Sequence, residues 1–306
     1  MEIVRNLHNL KPGPASVVTV GVFDGVHLGH QTIMRIVKAG ALERNVRAVA
    51  VTFDRLPEEL THPESPTRFI TTLDQKLALI AEQGMDLTVV MPLEQRLLDM
   101  PAAGFVTDVL HGKLRGVQLV VGTNFAFGKG REGDLDLLRT MGSALGFEVV
   151  GVSPLRLDNF LVSSTVIRRL LAKGDVERAN ELLGSLFALE GEVVPGEGIG
   201  QTLGFPTANL RLPDRQIVPA KGVYAATVRF DGGRWIGAVN IGTRPTVNGQ
   251  GVLVEVYIVG FSGNVYGKML RVEFHHRLRD EMRFPDIEAL KNRIRDDVRQ
   301  IVNMLS

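Results

Sequence analysis

The chain has 306 residues and a formal net charge of +1, from 35 Lys and Arg against 34 Asp and Glu, with 44% hydrophobic and 23% charged residues. That length exceeds the comfortable size of one hydrophobic core and predicts two globular domains; the balanced charge excludes the polybasic footprint of nucleic-acid scaffolds. Cysteine is absent, which excludes disulfides, thiolate zinc sites and cysteine nucleophiles. The stretch MEIVRNLHNLKPGPAS lacks an apolar core before a cleavage site, and no apolar run approaches a membrane span, so a cytoplasmic protein with no membrane attachment is expected.

The β-branched run SVVTVGVF (16–23), followed by apolar residues at helical spacing in QTIMRIVKAGALERN, reads as strand, turn, helix. RAVAVTFD (47–54) is the next buried strand, and TTLDQKLALIAEQG (71–84) predicts a helix with Thr72 as N-cap and Gly84 as stop. LTVVMPL and GVQLVVGTNF (116–125) are further strands, the latter preceded by the helix-like AGFVTDVLHG. Strands alternating with helices imply parallel pairing in a doubly wound α/β layer. Residues 163–184 read as two helices broken at Lys173-Gly174. From FALEGEVV onward the rhythm changes to strands joined by Gly, Pro, Asn and Asp turns such as Asp231-Gly232-Gly233, which predicts a small antiparallel β-barrel. A closing helix over 286–305 carries Ile287, Leu290, Ile294, Val298 and Ile301 on one stripe. The expected domains are 1–184 and 185–306.

The turn GVFDGVHLGH (21–30) sets His27 and His30 where a strand end enters a helix, the usual ligand crevice of an open α/β sheet. A helix start offers free N–H groups to an anion, and Gly21, Asp24, Gly25 and Gly29 let backbone approach a ligand closely. Asp24 could equally form the turn. A metal would need further ligands, and neither His-Glu-x-x-His nor cysteine is present; two histidines satisfied by their neighbours is the plain alternative. In GEGIGQTLGFPTAN (196–209) the glycines precede Pro206 and a strand, so no dinucleotide fingerprint applies, and the segment reads as a phosphate-covering loop with Gly196 and Gly200. On an extended segment Thr207 and Asn209 share a face and offer oxygen to a hard cation such as Mg2+. A Pro-Thr turn with a capping Asn is the alternative there.

GVFDGVHLGHQ resembles the HxGH signature of nucleotidyltransferases, and specifically that of the bifunctional bacterial riboflavin kinase/FMN adenylyltransferase (FAD synthetase) family. RFITTLDQKLALI, VVGTNFAFGKGREGDLDLL, VSSTVIRRLLAKGDVERA, LGFPTANL, NIGTRPTV, VEVYIVGFSGNVYGK and LRDEMRF follow in that family's order over nearly the whole chain. The resemblance implies an N-terminal doubly wound nucleotidyltransferase domain and a C-terminal kinase barrel. It implies phosphorylation of riboflavin by ATP to FMN and adenylylation of FMN by ATP to FAD plus pyrophosphate, with Mg2+ as cofactor and riboflavin, FMN and ATP as the small-molecule partners. His27 and His30 would contact phosphates, with Gly21, Phe23, Asp24 and Gly25 of their turn against ATP. Ser164, Thr165 and Arg168 would supply a second phosphate contact, where a plain N-cap serine is the alternative; Asn124 would sit among the nucleotide contacts with Arg131 near the phosphates, where an ordinary turn is the alternative. Glu255, alternating with Leu253 and Tyr257 on one strand face, would be the base that the alcohol of riboflavin needs. Three departures weaken the likeness around ATP: TFDRLP (52–57), Gln201 and Leu161 replace residues the family commonly carries. An HxGH transferase for another substrate fused to an unrelated barrel, or a flavin sensor without turnover, are the competing readings; LGFPTAN argues against the first, and the retained His27, His30, Thr207, Asn209 and Glu255 against the second. The oligomeric state is left open.

Overall fold

The computed structural model describes Met1–Ser306 except residues 8, 9, 11, 12, 62, 63, 65, 66, 197, 247 and 248, with the backbone alone at 199, 244–246, 249 and 250. It divides into two compact units, Met1–Ser164 and Thr165–Ser306. In the first, β1 (Glu2–Arg5), β2 (Ser16–Val20), β3 (Arg47–Phe53), β4 (Leu87–Met91), β5 (Gly116–Gly122) and β6 (Glu148–Val152) form, among the described residues, one parallel sheet in the order β1-β4-β3-β2-β5-β6. Successive side chains of β2 alternate between its faces: Val18 and Val20 join one core with Val106, Leu110 and Leu119, while Val17 packs in another with Met34, Val37 and Ile80. Both faces are covered, so the strands read as continuous apolar runs. β1 pairs with β4 from Glu2↔Leu87 to Arg5↔Val90; its four residues are too few to show a period, and the sequence reading passes over it.

From β2 the chain crosses to β3 on one side, and from β5 to β6 on the other, so the sheet reverses direction between β2 and β5. Ligand crevices form outside the carboxyl ends of strands at such a switch. Thr72 caps the helix Leu73–Glu82 in a reciprocal capping box with Gln75, at 3.2 Å and 2.9 Å. The stretch expected as an ordinary helix near 103–112 is π-helical over Phe105–Lys113, continued by Leu114 N–H bonding Val109 O at 3.0 Å. After a hairpin of β7 (Arg156–Leu157) and β8 (Phe160–Leu161) come the helices Ser164–Lys173 and Val176–Leu183, separated at Gly174, whose φ is 80°.

In the second unit, β9 (Ala188–Val194), β10 (Thr207–Arg211), β11 (Gly222–Phe230), β12 (Gly233–Thr246), β13 (Gly249–Ile258) and β14 (Met269–Arg279) close, among the described residues, into an antiparallel barrel ordered β10-β13-β12-β11-β14-β9. Asp231 (φ 48°) and Gly232 (φ 76°) make the tight turn between β11 and β12, the left-handed pair whose twist matches a hairpin. Asn180 bridges the preceding helix to the barrel, donating to Phe274 O at 2.9 Å and accepting from Phe187 N–H at 2.7 Å. The change of rhythm near Gly184 marks the first barrel strand, whereas packing groups residues from Thr165 onward with the barrel. The closing helix Ile287–Leu305 is capped by Asp286, which accepts from Ala289 N–H at 2.8 Å. Of its expected stripe, Ile301 is fully buried and Leu290, Ile294 and Val298 line a cavity, but Ile287 in the first turn is 70% exposed.

Candidate functional site

Gly21 extends β2 by one bond, its N–H donating to Val51 O at 3.0 Å. The chain then bends through three positive φ angles, at Phe23 (52°), Gly25 (78°) and Val26 (38°). A β-branched residue there is strained and must be held by its surroundings. Asp24, only 3% exposed, does the holding. Its carboxylate accepts from Ile70 N–H at 3.0 Å, Thr71 N–H at 3.1 Å and the Thr71 hydroxyl at 3.3 Å, and that hydroxyl accepts from Gly25 N–H at 3.1 Å. Of its two sequence readings, the geometry favours the turn-former. Phe23 folds back on the turn so closely that a Cβ on Gly21 would lie 2.7 Å from its ring.

His27 is the N-cap of the helix Leu28–Arg44, and its Nδ1 accepts from His30 N–H at 3.4 Å. A neutral His27 therefore carries its proton on Nε2. The His27 and His30 rings stack with centroids 3.6 Å apart, and Phe23 meets His30 edge-on at 5.1 Å. Burial, then His27, then Lys76 hold His30 well below the usual imidazole pKa, so it is neutral at pH 7. His30 Nδ1 is buried with no hydrogen-bond partner among the described residues.

Lys76, which the sequence pattern places simply within the helix 71–84, is a neighbour of this pair. Its Nζ donates to Phe53 O at 2.7 Å and Val22 O at 3.1 Å, which joins the carboxyl ends of β3 and β2. Burial lowers its pKa from 10.5 to about 8, against the opposing charges of Asp24 and Asp54. A signal existed: Lys76 stands in the apolar stripe of Leu73, Leu77 and Ile80. The Ser164 hydroxyl donates to Asp24 O at 2.9 Å, a tertiary bond across 140 residues. Asn124 is exposed just past β5, and a Cβ on Gly122 would come within 2.9 Å of its Oδ1. Arg131 is exposed on the same loop with φ 63°. Thr165, exposed, and Arg168, half-buried, fall in the second unit.

In the second unit a cavity of about 460 Å³ gathers Gly200, Thr207, Asn209 and Glu255. Register explains the convergence: Asn209 of β10 and Asn240 of β12 both stand opposite Glu255 of β13. Thr207, two residues before Asn209, shares its face, and its hydroxyl lies 3.5 Å from Glu255 Oε1, while Asn240 Nδ2 lies 3.5 Å from Oε2. Asn240, which no local pattern marks as functional, opens the NIGTRPTV motif. The glycines of the loop are required by close approach: a Cβ on Gly196 would lie 2.1 Å from Asn209 Nδ2, and one on Gly200 3.0 Å from Thr207 Oγ1. A hydroxyl, an amide and a carboxylate oxygen form a hard donor set that suits Mg2+ held with substrate phosphates; among the described residues no group of three or more His, Cys, Asp or Glu offers a protein-only site. Phe284, Leu290, Ile294 and Val298 give the cavity an apolar wall. Asp297 anchors that wall, accepting from Arg279 Nη2 at 2.6 Å and lying 3.0 Å from Arg293 Nε.

Two families match the chain: FAD synthetase over residues 11–166 and riboflavin kinase over residues 183–305. The chain is 42% identical over 301 residues to a bifunctional riboflavin kinase/FMN adenylyltransferase of Pseudomonas fluorescens, covering 97% of this chain and 96% of that one. It is 37% identical over 300 residues to the bifunctional riboflavin kinase/FMN adenylyltransferase of Escherichia coli (strain K12), with 97% and 96% covered. The crystal structure of a macrolide-efflux protein from Streptococcus pneumoniae matches with a TM-score of 0.92 at 27% identity, covering 99% of both chains. Among the described residues of the present chain, no helix is long and apolar enough to cross a membrane.

Proposed function

Because this chain belongs to the bifunctional riboflavin kinase/FMN adenylyltransferase family, it phosphorylates riboflavin with ATP to FMN and adenylylates FMN to FAD, and we propose that the two steps use the two sites above. Adenylyl transfer is assigned to residues 1–184 and phosphoryl transfer to 185–306. The attacking FMN phosphate is already an anion near neutral pH, so adenylyl transfer needs donors and positioning more than a base. The observation that carries the assignment is the stacked pair at the start of the helix Leu28–Arg44, with His30 uncharged and its Nδ1 buried and unpartnered among the described residues. His27 Nε2–H and the imidazole of His30 donate to the phosphates beside the free N–H groups of the helix. Asn124 and Arg131, on the loop after β5, and Ser164 are the further nucleotide contacts, and Asp24 serves by holding the turn.

For the kinase step Glu255 accepts the proton of the riboflavin hydroxyl, an alcohol that is a poor nucleophile without a base. Thr207 and Asn209 would hold Mg2+, which supplies charge neutralisation for the ATP phosphates when bound. Gly196 and Gly200 let the loop close over those phosphates. The apolar wall of Phe284, Leu290, Ile294 and Val298 suits the flat isoalloxazine ring system. The partners are riboflavin, FMN and ATP in the cytoplasm, with no nucleic acid or membrane. Incubating the purified chain with riboflavin, ATP and Mg2+ and separating the flavins by chromatography tests this reading: FMN should rise first and FAD after it, and the appearance of neither refutes it.

A further inference from the structure

Lys76 is a buried cation that neither step above uses. It is 5% exposed, and Val22 O and Phe53 O take two of its three N–H donors. Neither nearby carboxylate makes an ion pair with it among the described residues: Asp24 is engaged by Ile70 and Thr71, and Asp54 by Leu93 N–H at 2.9 Å and Arg55 at 3.6 Å. A neutral donor could serve the two carbonyls without the desolvation cost of an ammonium. Fold stability therefore does not account for the charge.

The place of the ammonium does. Val22 immediately precedes the strained turn Phe23–Val26, and Phe53 ends the adjacent strand. His30 offers an N–H donor but no charge, while Asp24 puts a carboxylate under a turn that must receive polyanions. We infer that Lys76 is a positioning residue for adenylyl transfer: it ties the ends of β2 and β3 beneath the turn and cancels the charge of Asp24, so that the phosphates of ATP and FMN can approach. This rests on the phosphate-binding reading of His27 and His30.

The charged and titratable groups facing Lys76 are Asp24 from the turn, Asp54 after β3, and His30 from the helix Leu28–Arg44. With its pKa lowered to about 8 in the free protein, Lys76 loses its proton at mildly alkaline pH. Bound polyanions favour the protonated form, so kcat/KM for ATP in FAD formation falls above about pH 8, whereas kcat falls only at higher pH. FMN formation by the same chain, from the same ATP, is the reference and lacks this limb.

The test is to measure FAD formation from added FMN between about pH 7 and 9.5 for the wild type, Lys76→Gln and Lys76→Arg. Lys76→Gln should raise the KM for ATP about tenfold or more at neutral pH, the effect of losing one nearby charge, and should lack the descending limb. Lys76→Arg, which stays charged, should restore ATP affinity and remain active at the alkaline end. A wild type that forms FMN but no FAD overturns both this inference and the phosphate-binding reading. If the wild type forms FAD with a level kcat/KM across the range, the inference alone is overturned, and that measurement needs no variant to fold. It is likewise overturned if Lys76→Gln keeps the wild-type KM and limb.

Discussion

Replacing Asp297 by alanine should loosen the closing helix from the barrel and impair only the first reaction. The carboxylate accepts from Arg279 Nε at 3.0 Å and Nη2 at 2.6 Å, and lies 3.0 Å from Arg293 Nε. The side chains of Asp297 and Arg279 are only 5% and 13% exposed, so removing one partner strands a buried guanidinium, at about 3–5 kcal/mol. Arg293, with a side chain 40% exposed, adds under about 1 kcal/mol after solvent screening. At about 2–4 °C per kcal/mol for a unit of this size, the loss corresponds to a melting point lower by about 10 °C. Asp297→Asn, which keeps one acceptor oxygen and the shape, should lose about half as much. The same helix carries Leu290, Ile294 and Val298 on the cavity wall, so the KM for riboflavin should rise with the destabilisation while added FMN is adenylylated at the normal rate. Calorimetry of the two units, with chromatographic assays of each step, measures this. A shift below about 3 °C, roughly the worth of 1 kcal/mol, or an equal fall in FAD formation, would refute the argument that a buried ion pair holds the pocket wall.

The two sites should separate by mutation: His30→Ala lowers FAD formation by about a hundredfold or more and spares FMN formation, as expected for a lost phosphate donor. Glu255→Gln does the reverse, slowing FMN formation by about a hundredfold, the lower range for a lost general base; equal losses in both steps for either variant contradict separate sites. Gly196→Ala, whose new Cβ would stand 2.1 Å from Asn209 Nδ2, should raise the Mg2+ concentration needed for half-maximal FMN formation without changing FAD formation. Finally, Lys76 binds its proton less tightly when folded, with a pKa of about 8, than at its ordinary value of 10.5, so between those values the unfolded state holds more protons and the lysine's contribution to stability rises with pH. Denaturant melts of the wild type relative to Lys76→Met should therefore improve from about pH 8 to 10; a relative stability that declines over this interval has the wrong sign.

Much of the architecture was legible from neighbouring residues. The alternation of apolar runs with helical spacing announced the parallel sheet, Thr72 marked a helix start, and Asp231-Gly232 marked a turn between strands, because each is a short-range preference of the backbone. His27 and His30 were visible for the same reason, since the glycine-rich turn and the helix start that position them are contiguous. The four-residue edge strand Glu2–Arg5 and the π-helical turns of Phe105–Lys113 escaped, being too short or too irregular for a period to register. The rest depended on closure of the chain. Asp24 finds Ile70 and Thr71 some 46 residues on, Ser164 reaches back to Asp24, and Lys76 becomes a buried cation only because two strand ends meet over it. Thr207 and Asn209 could be put on one face from their spacing, but their meeting with Glu255 and Asn240 is set by barrel register. A hydrogen-bond ladder fixes that register through strands dozens of residues apart, and no local pattern in any one of them encodes which residue will stand opposite.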